Sequence, residues 1–227
     1  MAKKVFLGVG HGGSDPGAVA NGFKEKDLNL DIALACRDEL ERHGVTVLMS
    51  RTKDENETLN EKIKECNAFK PDYALDIHNN AGGGDGAEIY HHVGGGKGKT
   101  LAQNIINEIV KIGQNSRGIK TKTNSSGKDY FAFIRETASP ACLVECAFVD
   151  SNDLQIIDTA AERKTMGSAI AKGILKTLDI AFVENKAPDN TAAYKEKIAA
   201  LEKSNTALTE EVNNLKSKIA NAQKALA

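Results

Sequence analysis

Four short segments of the 227-residue chain carry the side chains best suited to chemistry, and each lies at the end of an apolar run or the start of a helix. That is where sites form in α/β proteins. The first, Gly10-His11-Gly12-Gly13-Ser14-Asp15-Pro16-Gly17, sets an imidazole in a loop whose glycines let other groups approach closely. The second, Lys24-Glu25-Lys26-Asp27, puts Glu25 at the head of a long helical pattern. A carboxylate is favoured there by the helix dipole, whether or not it holds a metal. In the third, Asp76-Ile77-His78-Asn79-Asn80, an apolar strand runs into a histidine, and Asp76, two residues back, points to the same face. The fourth, Leu143-Val144-Glu145-Cys146-Ala147-Phe148, buries a glutamate in an otherwise apolar strand, and a lone buried carboxylate needs a partner or a task.

Together these segments supply two imidazoles and at least two carboxylates, the donor set of a catalytic zinc site with one position left for water. Calcium and magnesium fit less well, because oxygen-rich sites seldom use two histidines. Cys142 or Cys146 paired with a histidine raises a thiol peptidase as an alternative. Both cysteines lie inside an apolar strand, where a thiol is packed and inert. His91 and His92 follow the strand ending Glu88-Ile89-Tyr90; adjacent strand residues face opposite ways, and each reads as a surface or core histidine.

The elements that must position these groups form an alternating pattern. Strands are expected at Val5 to Val9, Val45 to Met49, Tyr73 to His78, Ala87 to His91 and Cys142 to Phe148. Helices are expected at 26 to 43, 56 to 69, 99 to 112 and 161 to 178, the first stopping before Gly44. The alternation predicts a single α/β domain over residues 1 to 181, with a mostly parallel or mixed central sheet flanked by helices.

Beyond it, residues 182 to 193 read as a polar, proline-containing linker, and residues 194 to 227 as a coiled-coil helix. Apolar side chains step by threes and fours through Tyr194, Ile198, Leu201, Leu208, Val212, Leu215, Ile219, Ala222 and Leu226, with Asn205 as the polar member. With Ile198 at position a, β-branched residues recur at a and leucines at d, and Asn205 occupies an a position; this pattern favours a parallel homodimer. Lys197 can meet Glu202 of a second copy, and Glu211 can meet Lys216. The competing arrangement, a helix docked on its own domain, usually shows a broader apolar face.

Thirty basic and thirty-one acidic residues give a net charge of -1, which supports neither a nucleic-acid groove nor a cationic membrane patch. No apolar run approaches the roughly 20 residues of a membrane span, and the opening run is too short for a signal sequence. These features predict a protein made soluble in the cytoplasm. The four cysteines lack metal-binding or disulfide spacing and read as buried thiols.

The order GHGG, DPGA, EKDLNL, SRT, DIHNNA, RGIK, LVECAF resembles the zinc N-acetylmuramoyl-L-alanine amidases of the amidase-3 type, found in bacterial autolysins and phage endolysins. The resemblance runs from residue 5 to about 180, and Arg51-Thr52, Asn79-Asn80 and Arg117-Gly118 also fall where that pattern expects them. It implies that His11, Glu25 and His78 hold zinc and that Glu145 is the catalytic acid and base. It further implies peptidoglycan as substrate and the bond between N-acetylmuramic acid and L-alanine as the one cut. Gly8-Val9 stands where the family often has Asp-Pro, so any supporting role of that acid is absent or falls to another, such as Asp76. Two other readings stay open: a wall-binding module without turnover, and a coiled-coil protein carrying the domain as cargo. The missing export signal favours an endolysin, which reaches the wall after release.

Overall fold

A computed structural model describes residues 2–184 and 191–225; in the last helix it omits the side chains of 191–195, 220, 222, 224 and 225. The chain divides into two compact units, Met1–Phe182 and Val183–Ala227.

The first unit is α/β. Its main strands are β1 (Lys4–Val9), β4 (Thr46–Met49), β5 (Tyr73–Asn80), β6 (Ala87–His91), β7 (Ser116–Lys120) and β8 (Ala141–Phe148), and a small hairpin pairs β2 (Val19–Ala20) with β3 (Phe23–Lys24). The six-stranded sheet has the order β4-β1-β5-β8-β6-β7. β4, β1, β5 and β8 are parallel, while β6 runs antiparallel to β8 and parallel to β7. The mostly parallel, mixed sheet expected from the sequence is therefore present.

Parallel neighbours need crossovers, and helices supply them. α1 (Glu25–Arg42), α3 (Gly96–Lys111) and α5 (Ala160–Thr177) pack on one face; α2 (Leu59–Phe69) and the short α4 (Ala132–Glu136) contribute to the other. Strand periodicity separates the faces. Val5, Leu7 and Val9 of β1, Leu75 and Ile77 of β5, and Cys142, Val144 and Cys146 of β8 enter the large core under α1, α3 and α5. Phe6, Ala74 and Ala141 point the other way, into a small cluster with Ile63, Cys66 and Phe133.

Helix ends follow local chemistry. α2 begins at Leu59, not at residue 56, because Thr58 caps it: its hydroxyl accepts from Glu61 N–H, and the Glu61 carboxylate accepts from Thr58 N–H. Thr159 and Glu162 do the same for α5. β7 and α4 were not expected: β7 is short and mostly polar, and α4 has five residues, too few to show a helical period.

The second unit holds α6 (Thr191–Ala225). Its described seam residues Ile198, Leu201, Leu208, Val212, Leu215 and Ile219 are 47 to 62% exposed. Residues 185 to 190 of the expected linker, the Tyr194 and Ala222 side chains and Leu226 lie outside the described residues. Among the described residues, no helix is long and apolar enough to cross a membrane.

Candidate metal centre

His11 leaves β1 at the sheet's carboxyl end with φ of 60°, a left-handed conformation that is uncommon for a histidine. Such strain marks places where the surroundings dictate the backbone. His78 lies in β5, the next strand, and Glu25 is the first residue of α1. One ligand atom from each of the three lies within 4.8 Å of the others. The structure thus brings together the side chains that the resemblance assigns to a metal.

Glu25 is the hub. Its Oε2 lies 3.1 Å from His11 Nε2 and accepts from Ala18 N–H at 3.0 Å. Its Oε1 lies 3.1 Å from His78 Nδ1 and accepts from Asn79 N–H and Asn29 Nδ2, each at 3.2 Å. Burial opposes its charge, but the hydrogen bonds and charges of both histidines outweigh burial and hold its carboxyl well below the usual range.

Each imidazole faces a second acid on its outer side. His11 Nδ1 is 2.8 Å from Asp15 Oδ2, and His78 Nε2 is 3.5 Å from Asp76 Oδ2. Lys62 Nζ in turn donates to Asp76 Oδ1 at 2.9 Å and to the Val9 carbonyl at 3.1 Å. A carboxylate that holds the outer N–H fixes the tautomer and leaves the inner nitrogen as a donor to metal. Two inward nitrogens and one carboxylate suit zinc. Asp15 was not singled out in this role; the only sequence signal was its spacing of four from His11.

The Glu25 hydrogen bond is the main cause that raises His11, with burial opposing. Burial lowers His78, but the Asp76 charge and the hydrogen bonds to Asp76 and Glu25 win, pushing it up to about 10.

Glu145 stands beside His78 in register across β5 and β8, so both side chains share a face. Burial pushes its carboxyl up to about 7, and its Oε2 is buried without a hydrogen-bond partner. A cavity of about 320 Å³ reaches His11, His78 and Glu145 between apolar walls that include Leu59, Phe131 and Leu143. A carboxylate poised near neutrality, beside a cluster of metal-type donors in a cleft, suits proton transfer.

The scaffold is tight. A β-carbon at Gly10 would fall 2.3 to 2.6 Å from the His78 ring, so glycine lets β1 pass behind the imidazole. Arg51, almost wholly buried, donates to the carbonyls of Gly10 and Lys26 and so ties the His11 loop to the start of α1.

The other candidates lie elsewhere. His91 is buried with Nδ1 2.8 Å from the His92 carbonyl oxygen, and His92 is exposed beside Asp129. Cys142 and Cys146 sit in the large core on the opposite face of β8 from Glu145, and burial pushes both thiols up. That corrects the thiol-peptidase alternative: neither sulfur faces a histidine of the site, and neither ionises readily.

The family model described as N-acetylmuramoyl-L-alanine amidase, of the amidase-3 type, matches residues 5–176. The N-acetylmuramoyl-L-alanine amidase CwlM of Bacillus licheniformis is 40% identical over 202 residues, covering 87% of this chain and 75% of that protein. The endolysin of Bacillus phage SPP1 is 37% identical over 162 residues, covering 67% of this chain and 57% of that protein. Among solved structures, Cwp6 from Clostridium difficile superposes with a TM-score of 0.77 at 41% identity, covering 78% of this chain and 30% of that one.

Proposed function

The chain belongs to the N-acetylmuramoyl-L-alanine amidase family of the amidase-3 type, and from this premise we propose that it is a zinc-dependent peptidoglycan hydrolase. It cuts the amide between N-acetylmuramic acid and the L-alanine of the stem peptide. The observation that carries this reading is the convergence of His11 Nε2 and His78 Nδ1 on the Glu25 carboxylate, with the unpartnered Glu145 Oε2 one strand away.

His11, Glu25 and His78 would hold the ion, and zinc there supplies a Lewis acid that acidifies water and polarises the lactyl carbonyl. Asp15 and Asp76 keep the rings in orientation. Glu145, whose carboxyl burial raises toward neutrality, takes a proton from the attacking water and returns it to the departing amine of L-alanine. The return is required because an amide nitrogen leaves poorly unless protonated. The apolar walls of the cavity limit water around this exchange.

Residues 1–181 are assigned as the catalytic domain, 182–193 as a linker and 194–227 as a coiled coil that pairs two chains in parallel. Two heads on one particle would gain avidity on a polymeric wall. The likeness to the SPP1 endolysin supports action on the wall after release. Mass spectrometry of digested muropeptides tests the reaction: a new free amino terminus on L-alanine, abolished by chelator and restored by zinc, is the expected result. Products cut elsewhere, or activity indifferent to chelator, would overturn it.

A further inference from the structure

Glu88 lies in β6 directly opposite Glu145, on the face of the sheet that carries His78, yet the proton transfer described above does not use it. Only 4% of its surface is exposed. Its Oε2 accepts from Arg117 Nε at 2.6 Å and Lys120 Nζ at 2.5 Å, and its Oε1 from Tyr90 Oη at 2.8 Å and Asn80 Nδ2 at 3.2 Å. Burial opposes its charge, but these donors bring its carboxyl down to about 2. One anion therefore anchors two cations, and the cluster keeps an excess positive charge.

The backbone is bent to bring Arg117 in. Ala87 pairs with Ser116 and Ile89 with Ile119, so Arg117 and Gly118 together stand opposite Glu88 alone. This is a β-bulge, with Gly118 at φ 82°, and bulges beside sites re-aim side chains. The guanidinium also lies 5.1 Å from the centre of the Phe148 ring. Held at Nε and across its face, Arg117 presents its terminal nitrogens, which have no hydrogen-bond partner among the described residues. The Arg117 side chain is 40% exposed and that of Lys120 34%. A fixed guanidinium fork with unspent donors matches a carboxylate in two-point contact.

The geometry points to Arg117 and Lys120 as a receptor for a substrate carboxylate, held in place by Glu88. This rests on the amidase reading. The lactyl carboxyl of the substrate is tied up in the amide being cut, so the free carboxylates belong to the stem peptide on the amine side. β7 lies two strands beyond β8, roughly 10 Å from Glu145 at the usual strand spacing. An extended peptide advances roughly 3.3–3.6 Å per residue, so the recognised group is an acidic residue about two or three positions after the cut.

The test uses the zinc-loaded full chain and two synthetic muropeptides that differ only in whether that stem carboxylate is free or amidated. The unmodified protein is expected to show a KM about tenfold lower for the free acid, the scale of one charge-assisted hydrogen-bond pair. In Arg117→Gln the ratio of the two KM values collapses toward one, and Arg117→Lys recovers part of it; Lys120→Gln serves as a second variant if Arg117→Gln fails to fold. Equal KM values for both substrates in the unmodified protein, or a ratio that survives both substitutions, would overturn the receptor. Cleavage of neither substrate would instead overturn the amidase reading on which it rests.

Discussion

Replacing Gly10 with alanine separates the geometry of the metal centre from its chemistry, because no ligand atom is removed. The new β-carbon would sit 2.3 Å from Cε1, 2.5 Å from Nδ1 and 2.6 Å from Nε2 of His78. Comfortable carbon contacts begin near ~3.5 Å, so ring and strand must part by roughly 1 Å. The strand has little freedom to move: Gly10 N–H donates to the Ile77 carbonyl at 2.9 Å, and its own carbonyl accepts from Asn29 and Arg51 at 3.1 Å each. The ring moves instead, toward the cavity. Metal ligands tolerate errors of about 0.2 Å, so a shift several times larger takes His78 out of the ligand set. Disturbing the support of a ligand costs about 10–100-fold in affinity, and the upper end is expected here. Gly10 is not among the residues with positive φ, so alanine adds no backbone strain and the far-UV circular dichroism should be unchanged. Competition with a chromogenic zinc chelator measures the affinity. A folded Gly10→Ala protein that binds zinc as tightly as the parent would refute the role given to this close approach.

Glu145→Gln is expected to retain zinc by emission spectroscopy but lose hydrolysis by at least about 100-fold, the general scale of acid–base catalysis, whereas His78→Ala should lose both. In zinc-free protein the raised His78 stabilises the fold fully below its ordinary 6.5; that contribution fades as pH climbs toward about 10, so the Tm of chelated protein should fall across this window. Zinc needs neutral imidazoles, so its affinity should rise over the same range. Because burial lifts Glu145 to about 7, kcat/KM should decline as pH drops below neutrality, with a one-proton slope. Leu208→Asp should halve the mass per particle in light scattering if α6 pairs two chains, by placing a charge at a d position; an unchanged mass would count against the pairing.

What could be read from the chain in advance was whatever breaks an apolar period. His78 and Glu145 interrupt β5 and β8, His11 follows β1 and Glu25 opens α1; each was weak alone, and the family resemblance joined them into one candidate site. Strand-to-strand register was not readable. That His78 and Glu145 lie side by side follows from the pairing of β5 with β8, whose starts are 68 positions apart (Tyr73, Ala141). Glu88 went unnoticed for the same reason: in β6 it reads as an ordinary outward acid, and only the placement of β6 against β8 makes it the neighbour of Glu145. Its cations were hidden as well, since Ser116-Arg117-Gly118-Ile119-Lys120 has one apolar residue and a bulge, and so no alternation to detect.

The two faces of the sheet explain why the chemistry sits where it does. Under α1, α3 and α5 the strands bury an unbroken apolar layer, which carries most of the hydrophobic stabilisation. On the other face the apolar cluster is confined to the neighbourhood of Phe6, Ile63 and Phe133. Toward the carboxyl ends of β1, β5 and β8 that cluster gives way to Asp76, His78, Glu145 and Glu88. Buried charges of this kind are costly unless each is answered, and here most are: Lys62 answers Asp76, the histidines answer Glu25, and Arg117 with Lys120 answers Glu88. Two carboxylates that line the cavity are less complete: one oxygen of Glu145 and both of Glu57 are buried without a hydrogen-bond partner. Glu145 is set apart by its place beside His78 in the wall of the cavity, and on the proposed amidase reading its open oxygen is positioned for a group that arrives from outside, the attacking water.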